Sequence, residues 1–300
     1  MGDHVQVLAL EMKTKKKRTK LKSLSHGRPP TAKSTHSVSS KATRTLIRSH
    51  HALEKAKAQA LAEGNDALAA SLQHQIDAQG GIQGYQRASL QGQSNDRGGD
   101  SSRILMGWLE PVVPILKEAA MKGRPLRLLE VGALSVNNAC SRSRLFEVER
   151  IDLNSQAEGI KQQDFMERPL PKDGSEQFDI LSLSLVLNYV PDAVGKGEVL
   201  LRTLQFLREP KDGESVSGFL PALFLVLPAA CVTNSRYMDE AKLEAIMECL
   251  GYICVQKKLS NKLVYYLWRM VLRVTKPAKG FKKVEIRSGK DRNNFAIVFK

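Results

Sequence analysis

No histidine occurs after His74 in this chain of 300 residues. All six, His4, His26, His36, His50, His51 and His74, precede the part in which strand-like and helix-like segments alternate. That placement argues against a histidine base, a Ser-His-Asp triad or a histidine-rich metal site in that part. Cysteine is scarce too. Cys140, Cys231, Cys249 and Cys254 lie far apart in no metal-like spacing, which argues against zinc and suits reduced thiols of an intracellular protein. Apolar runs are short: the most apolar window, Phe219 to Val232, contains Pro221 and Pro228 and reads as a buried strand with its flanks. Neither a leader peptide, a membrane span nor a metal site is expected. Acidic residues are rare at the amino end, where the first fifty residues hold twelve Lys/Arg against two Asp/Glu. The remaining 250 carry 34 against 29, so most of the formal charge of +15 sits in one end segment.

That segment is led by Lys13-Thr14-Lys15-Lys16-Lys17-Arg18-Thr19-Lys20-Leu21-Lys22 and continues as a Ser/Thr/Pro-rich run to Ser40. So few large apolar side chains do not offset the entropy of ordering, and residues 1–41 are expected to be a disordered basic tail. Such a run serves as a nuclear or nucleolar address, as a phosphate-binding arm, or only as a solubilising tail. No apolar face accompanies the lysines, which argues against a membrane anchor. Next, Leu46, Leu53, Leu61, Leu68, Leu72 and Ile76 recur at near-helical spacing, broken at Gly64-Asn65, and predict two helices. A further helix is expected from Arg103 to Met121, kinked at Pro111 and Pro114. Together they form a helical extension over 42–122. Its stretch 80–102 is rich in glycine and polar side chains and is expected as a long loop, functional or disordered.

From residue 123 to the end, strands are expected at 126–132, 147–152, 178–186, 222–228, 252–259 and 294–299, with helices at 192–208 and 239–250. The alternation defines an α/β fold with a doubly wound, mostly parallel sheet, whose last two strands read as an antiparallel end. Between those two, Asn261 to Arg292 is long, basic and aromatic, with Tyr265, Tyr266, Trp268 and Phe281.

Parallel strands collect ligands at their carboxyl ends. Gly132, closing Glu130-Val131-Gly132, lets the backbone approach a ligand where a Cβ would collide. Leu134 and Val136 stand where a glycine-rich loop would continue, which counts against a dinucleotide pyrophosphate. S-adenosylmethionine carries no phosphate and tolerates the looser turn. Asp152 ends the next strand, about twenty residues on, where a carboxylate grips a ribose diol; a helix N-cap is the competing reading. Asp164-Phe165 has the form of an adenine pocket, a carboxylate for the exocyclic amine and an apolar ring for the purine face. Asp179 reads as structural. In Asn188-Tyr189-Val190-Pro191-Asp192, Asn188 suits the edge of a target base and Tyr189 its face, while a helix-initiating turn with proline at its start explains the same residues equally well. Methyl transfer to a ring nitrogen needs no catalytic base, since the nitrogen brings its own lone pair. Lys276, Lys279, Lys282, Lys283, Arg287, Lys290 and Arg292 are expected to grip phosphates.

Beyond these readings, Gly81-Ile82-x-x-Tyr85-Gln86-x-Ala88-Ser89-x-x-Gly92-Gln93-Ser94, Arg97-Gly98-Gly99-Asp100-Ser101-Ser102, Leu129-Glu130-Val131-Gly132-Ala133-Leu134, Arg150-Ile151-Asp152-Leu153-Asn154-Ser155, Gln163-Asp164-Phe165 and Ser182 through Ala193 resemble the fungal 25S ribosomal RNA adenine-N1 methyltransferases of the Bmt2 type. The resemblance covers about residues 45 to 300. It implies a Rossmann-like class I methyltransferase with a seven-stranded sheet over 123–300. It further implies S-adenosylmethionine as cofactor, large-subunit ribosomal RNA or a pre-ribosome as partner, and the nucleolus as location. Gly132 and Asp152 match the family's cofactor-contacting positions. A monomer, with no membrane partner, is expected. Animal relatives resemble methyl-donor sensors acting through protein partners, so a non-catalytic sensor stands as the alternative.

Overall fold

The computed structural model describes residues 40–92, 100–155, 157–210, 216 and 218–299, so the expected tail lies, up to residue 39, outside the described residues. The sheet has seven strands: β1 (Leu126–Val131), β2 (Phe146–Asp152), β3 (Lys161–Gln162), β4 (Ile180–Ser184), β5 (Ala222–Pro228), β6 (Tyr252–Leu259) and β7 (Leu263–Met270). Their order across the sheet is β3-β2-β1-β4-β5-β7-β6. The first five are parallel; β7 runs antiparallel to β5, and β6 antiparallel to β7.

Alternation along each strand sorts side chains into two cores. Leu129, Val131, Leu181, Leu183, Leu223 and Leu225 face one core, beneath α7 (Ala193–Phe206) and α9 (Glu240–Cys249). Leu128, Ile180, Ala222, Phe224 and Val226 face the other, beneath α4 (Ser102–Trp108) and α5 (Val113–Met121). Burial on both faces explains why β5 is apolar throughout and why the only polar side chains of β4 are two small serines. At the amino end of β4, Asp179 accepts from the Arg127 backbone N–H (2.7 Å) and from Arg208 (3.1 Å), a structural role.

The extension begins with α1 (Ser40–Ala62) and α2 (Asp66–Ala78), joined at Gly64-Asn65 as expected. Asn65 caps α2 by accepting the Leu68 N–H at 3.1 Å. The helix expected over 103–121 is divided. A single 3-10 turn, Glu110–Val112, holds Pro111 and separates α4 from α5, which carries Pro114 in its first turn.

Two expectations are corrected. Residues 80–102 are not a continuous loop, because Gly81–Gly92 form a helix, α3, and residues 93–99 lie outside the described residues. Glycine normally weakens a helix, but here Gly84 and Gln86 are buried in tertiary contacts that outweigh propensity. Residues 294–299 are not a strand of the sheet either. The partner of β6 is β7, made from the aromatic stretch expected to be a connection, with Tyr266 and Trp268 each 1% exposed. The 294–299 segment packs Phe295, Ile297 and Phe299 into the core beside α7, and the Val298 N–H donates to Ala193 O at 2.8 Å. That approach is close enough for a Cβ on Gly197 of α7 to collide with the Val298 carbonyl.

Candidate functional site

The carboxyl ends of β1, β2, β3 and β4 lie along one edge of the sheet, and each delivers one of the residues singled out in the sequence. At the end of β1, Gly132 has φ +74°, and a Cβ there would stand 2.6 Å from Val186 Cγ2. Conformation and the nearness of the chain leaving β4 therefore both select glycine. Just before it, the Glu130 carboxylate accepts from Asn138 Nδ2 through both oxygens, at 2.9 and 2.8 Å. Burial pushes the Glu130 carboxyl up to about 7, against the opposing pull of Asn138 and Arg150. Asn138 also opens α6 (Ala139–Ser143) by accepting the Ser141 N–H at 2.9 Å.

Asp152 ends β2. Its Oδ1 accepts from Gln86 Nε2 (3.0 Å) and from the Asn154 N–H (2.8 Å). Among the described residues, no donor meets its Oδ2 and no helix follows it, so the N-cap reading falls away. Burial raises the Asp152 pKa despite these two donors. Gln86 is 4% exposed and fully engaged: its amide nitrogen also donates to Asn154 O (2.6 Å), and its oxygen accepts from Asn154 Nδ2 (2.9 Å). A buried amide satisfied in this way fixes α3 to the loop after β2.

Asp164 follows β3, with Oδ1 accepting the Met166 N–H at 2.7 Å. The Phe165 ring, expected to cover a purine, is 5% exposed and packs in the core, 5.2 Å from Phe206. The apolar flank of α7 takes the ring there, and Arg202 Nε holds the Phe165 carbonyl at 2.8 Å. Asp164 and Phe165 are thus turned to different surroundings.

Beyond β4 the chain turns sharply, with Leu185 at φ +60°, a region that non-glycine residues rarely enter. Ser184 Oγ meets Ser101 Oγ at 2.9 Å. Asp100 clamps the neighbouring loop, its Oδ1 accepting from Ser102 N–H and Oγ and its Oδ2 from the Ala139 N–H. Asp192 caps α7 through the Gly195 N–H (2.7 Å), so the helix-initiating reading holds for that residue. Asn188 is not part of the cap; its Oδ1 is buried with no hydrogen-bond partner among the described residues. Lys196, 6% exposed, holds the same turn by donating to the carbonyls of Val190 and Asp192. Burial and the nearby Lys55 push its ammonium down to about 8.

Tyr189 meets residues that no local pattern in the sequence places beside it. The His51 ring lies 3.8 Å from it, Tyr85 stands edge-on at 5.3 Å, and His50 stacks on Tyr85 at 4.9 Å. The absence of histidine from the α/β part therefore does not keep histidine from its edge, because α1 carries His51 across. Burial, then the charges of His50 and Lys196, push His51 down to about 4, which leaves it neutral near pH 7. The Tyr85-Gln86 pair is visible in sequence as part of a polar stretch; His51 and Lys196 carry no local signal.

The expected phosphate-binding segment divides in two. Arg287 is spent on the fold, donating to the carbonyls of Val232 (2.9 Å), Thr233 (3.0 Å), Ser235 (3.1 Å) and Met238 (2.6 Å). Arg292 donates to Ser288 O at 2.6 Å. Lys276, Lys279, Lys282, Lys283 and Lys290 remain exposed. Among the described residues, no helix is long and apolar enough to cross a membrane, and no group of three or more His, Cys, Asp or Glu is placed to hold a metal ion.

Six strands running one way with β7 reversed between β5 and β6, and a glycine and an acid at successive strand ends, define a Rossmann-like class I methyltransferase. Within that class, residues 70–297 match the family described as "25S rRNA (adenine(2142)-N(1))-methyltransferase, Bmt2". The chain belongs to this family. It is 45% identical over 217 residues to the 25S rRNA adenine-N(1) methyltransferase of Schizosaccharomyces pombe, covering 72% of this chain and 76% of that one. Against the 25S rRNA (adenine(2142)-N(1))-methyltransferase of Saccharomyces cerevisiae it is 38% identical over 228 residues, 76% of this chain and 62% of that one. A solved 1,6-didemethyltoxoflavin-N1-methyltransferase from Burkholderia thailandensis, with bound S-adenosylhomocysteine, aligns with TM-score 0.38 and 16% identity over 62% of this chain and 86% of that one, a likeness too low to bear on the fold.

Proposed function

We propose that this chain transfers a methyl group from S-adenosylmethionine to N1 of an adenosine in 25S ribosomal RNA. The observation that carries the reading is Asp152. One of its oxygens is held by Gln86 and Asn154, and the other is without a donor among the described residues, beside the Gly132 turn. A carboxylate so held is preorganised to accept a pair of ribose hydroxyls, while glycine at 132 lets the neighbouring turn pack against Val186. Asp164 offers a second carboxylate for an exocyclic amine, steadied from behind by the packing of Phe165 on Phe206. These residues fit S-adenosylmethionine, which when bound supplies an activated methyl group on a sulfonium centre.

Asn188 and Tyr189 stand at the far end of this edge and are assigned the target base. The adenine N1 lone pair would take the methyl group without releasing a proton, so Asn188 and Tyr189 need only hold the base and supply no general base. The chain's task is to orient the two partners and exclude water. Exposed lysines of the 276–290 segment are assigned to phosphates, and the basic run Lys13 to Lys22 to a nucleolar address.

Incubating the purified chain with labelled donor and unmodified 25S RNA, followed by mass spectrometry of the nucleosides, tests the proposal. Labelled N1-methyladenosine that disappears with Asp152→Ala is expected. Tight donor binding with no label in the RNA would instead favour a sensor, in which Gln86 reports pocket occupancy to α3.

A further inference from the structure

Two buried polar atoms flank Tyr189 and lack partners among the described residues: Asn188 Oδ1, on the preceding residue, and His51 Nε2, on the ring packed against Tyr189. A buried polar group left unmet costs about 1–3 kcal/mol, so each of these calls for a ligand that meets it. Tyr189 and Tyr85 are half-buried here, with the buried His50 ring stacked behind Tyr85. Aromatic faces with a few polar atoms at the rim are what an unstacked base requires.

We infer that His51 and Asn188 read the N6/N7 edge of the target adenine, His51 Nε2–H donating to N7 and Asn188 Oδ1 accepting from the exocyclic amine. The inference rests on the methyltransferase reading and specifies how its substrate is chosen. Contact along that edge leaves N1, on the other side of the amine, open to the methyl donor. It also selects the base, because guanine presents an oxygen in place of the amine and would set it against Asn188 Oδ1. Seating the purine on Tyr189 moves the tilted His51 ring toward the base's edge and replaces their contact with one of larger area. Burial keeps His51 uncharged, so the pocket does not add a positive charge beside a base that becomes cationic. Lys196 stays occupied by the Val190 and Asp192 carbonyls.

Two variants and one altered RNA test the assignment. His51→Phe keeps a ring against Tyr189 but removes the donor; His51→Gln restores an amide nitrogen near the Nε2 position. His51→Phe is expected to lower kcat about 10–100-fold, with donor and RNA affinity unchanged and melting temperature the same or higher, and His51→Gln to recover part of the loss. RNA carrying 7-deazaadenosine at the methylated position, which lacks N7, should slow the wild type to a similar degree and His51→Phe no further. A wild-type rate for His51→Phe, equal loss in both variants, or the same 7-deaza penalty in wild type and His51→Phe would each overturn the inference while leaving the proposed activity intact. No transfer by the wild type to ordinary RNA would refute the activity itself.

Discussion

The sheet and the helical extension contribute to the same site in opposite ways. The sheet presents Gly132, Asp152, Asp164 and Asn188 at successive strand ends, where local pattern alone puts them. The extension contributes Gln86, Ser101 and His51, each meaningful only through contacts across 66 residues or more: Gln86 with Asp152, Ser101 with Ser184, His51 with Tyr189. The sheet supplies the groups, and the extension decides which of their atoms stay available. Asp152 shows this most clearly, since the Gln86 amide occupies one oxygen and leaves the other.

The contrast breaks first at Asp152. Asp152→Ala should weaken the donor, titrated calorimetrically, by at least about 100-fold, the scale of a missing pair of charge-assisted hydrogen bonds. Unchanged affinity would move the site off this edge.

Glu130 gives the next largest effect, one confined to the sheet. Its pKa in the folded chain, about 7, lies above the ordinary carboxyl value of 4.5, so the folded state holds the proton more tightly than the unfolded one. Stability is therefore full below pH 4.5 and declines as pH rises through 7, by up to about 3 kcal/mol. Glu130→Gln removes the titration. Between about pH 5 and 8 the wild type should lose melting temperature relative to this variant; parallel curves would contradict the burial argument.

Gln86→Ala probes the extension. It leaves the Asn154 amide and Asp152 Oδ1 short of a partner, and donor affinity should fall about tenfold with the fold retained. A sheet that built the pocket alone would show no change.

The smallest effects belong to the basic segment. Replacing Lys279, Lys282 and Lys283 by glutamine should flatten the salt dependence of RNA binding by about one unit for each phosphate left without its lysine, with melting unchanged. Arg287→Ala should do the reverse, lowering melting temperature because four backbone carbonyls are deprived of their donor, with little change in salt slope.

Most of the sheet is legible because its strands are short apolar runs closed by glycine or an acid, and β5 and β6 have the bounds expected from sequence. The inner strand β7 escapes such a reading, since tyrosine and tryptophan suit a binding surface as well as a buried strand; only pairing with β5 and β6 distinguishes the two. The helix α3 is hidden because its glycines oppose helix formation locally, and its stability comes from Gln86 and its partners. Phe165 reads as outward-facing because an aromatic beside an acid fits a purine pocket, while Phe206, 41 residues on, decides where the ring goes. His51 and Lys196 are invisible for the same reason, since nothing nearby in sequence marks a side chain that acts at a distance.

The most direct test of a site shared between the two regions is a double-mutant cycle in donor binding. Asp152→Ala, Gln86→Ala and the pair would be titrated with S-adenosylhomocysteine under identical conditions. If Gln86 acts through Asp152, the pair should bind no more weakly than Asp152→Ala alone. Additive losses would show that helix and sheet act separately, and the shared pocket would be contradicted.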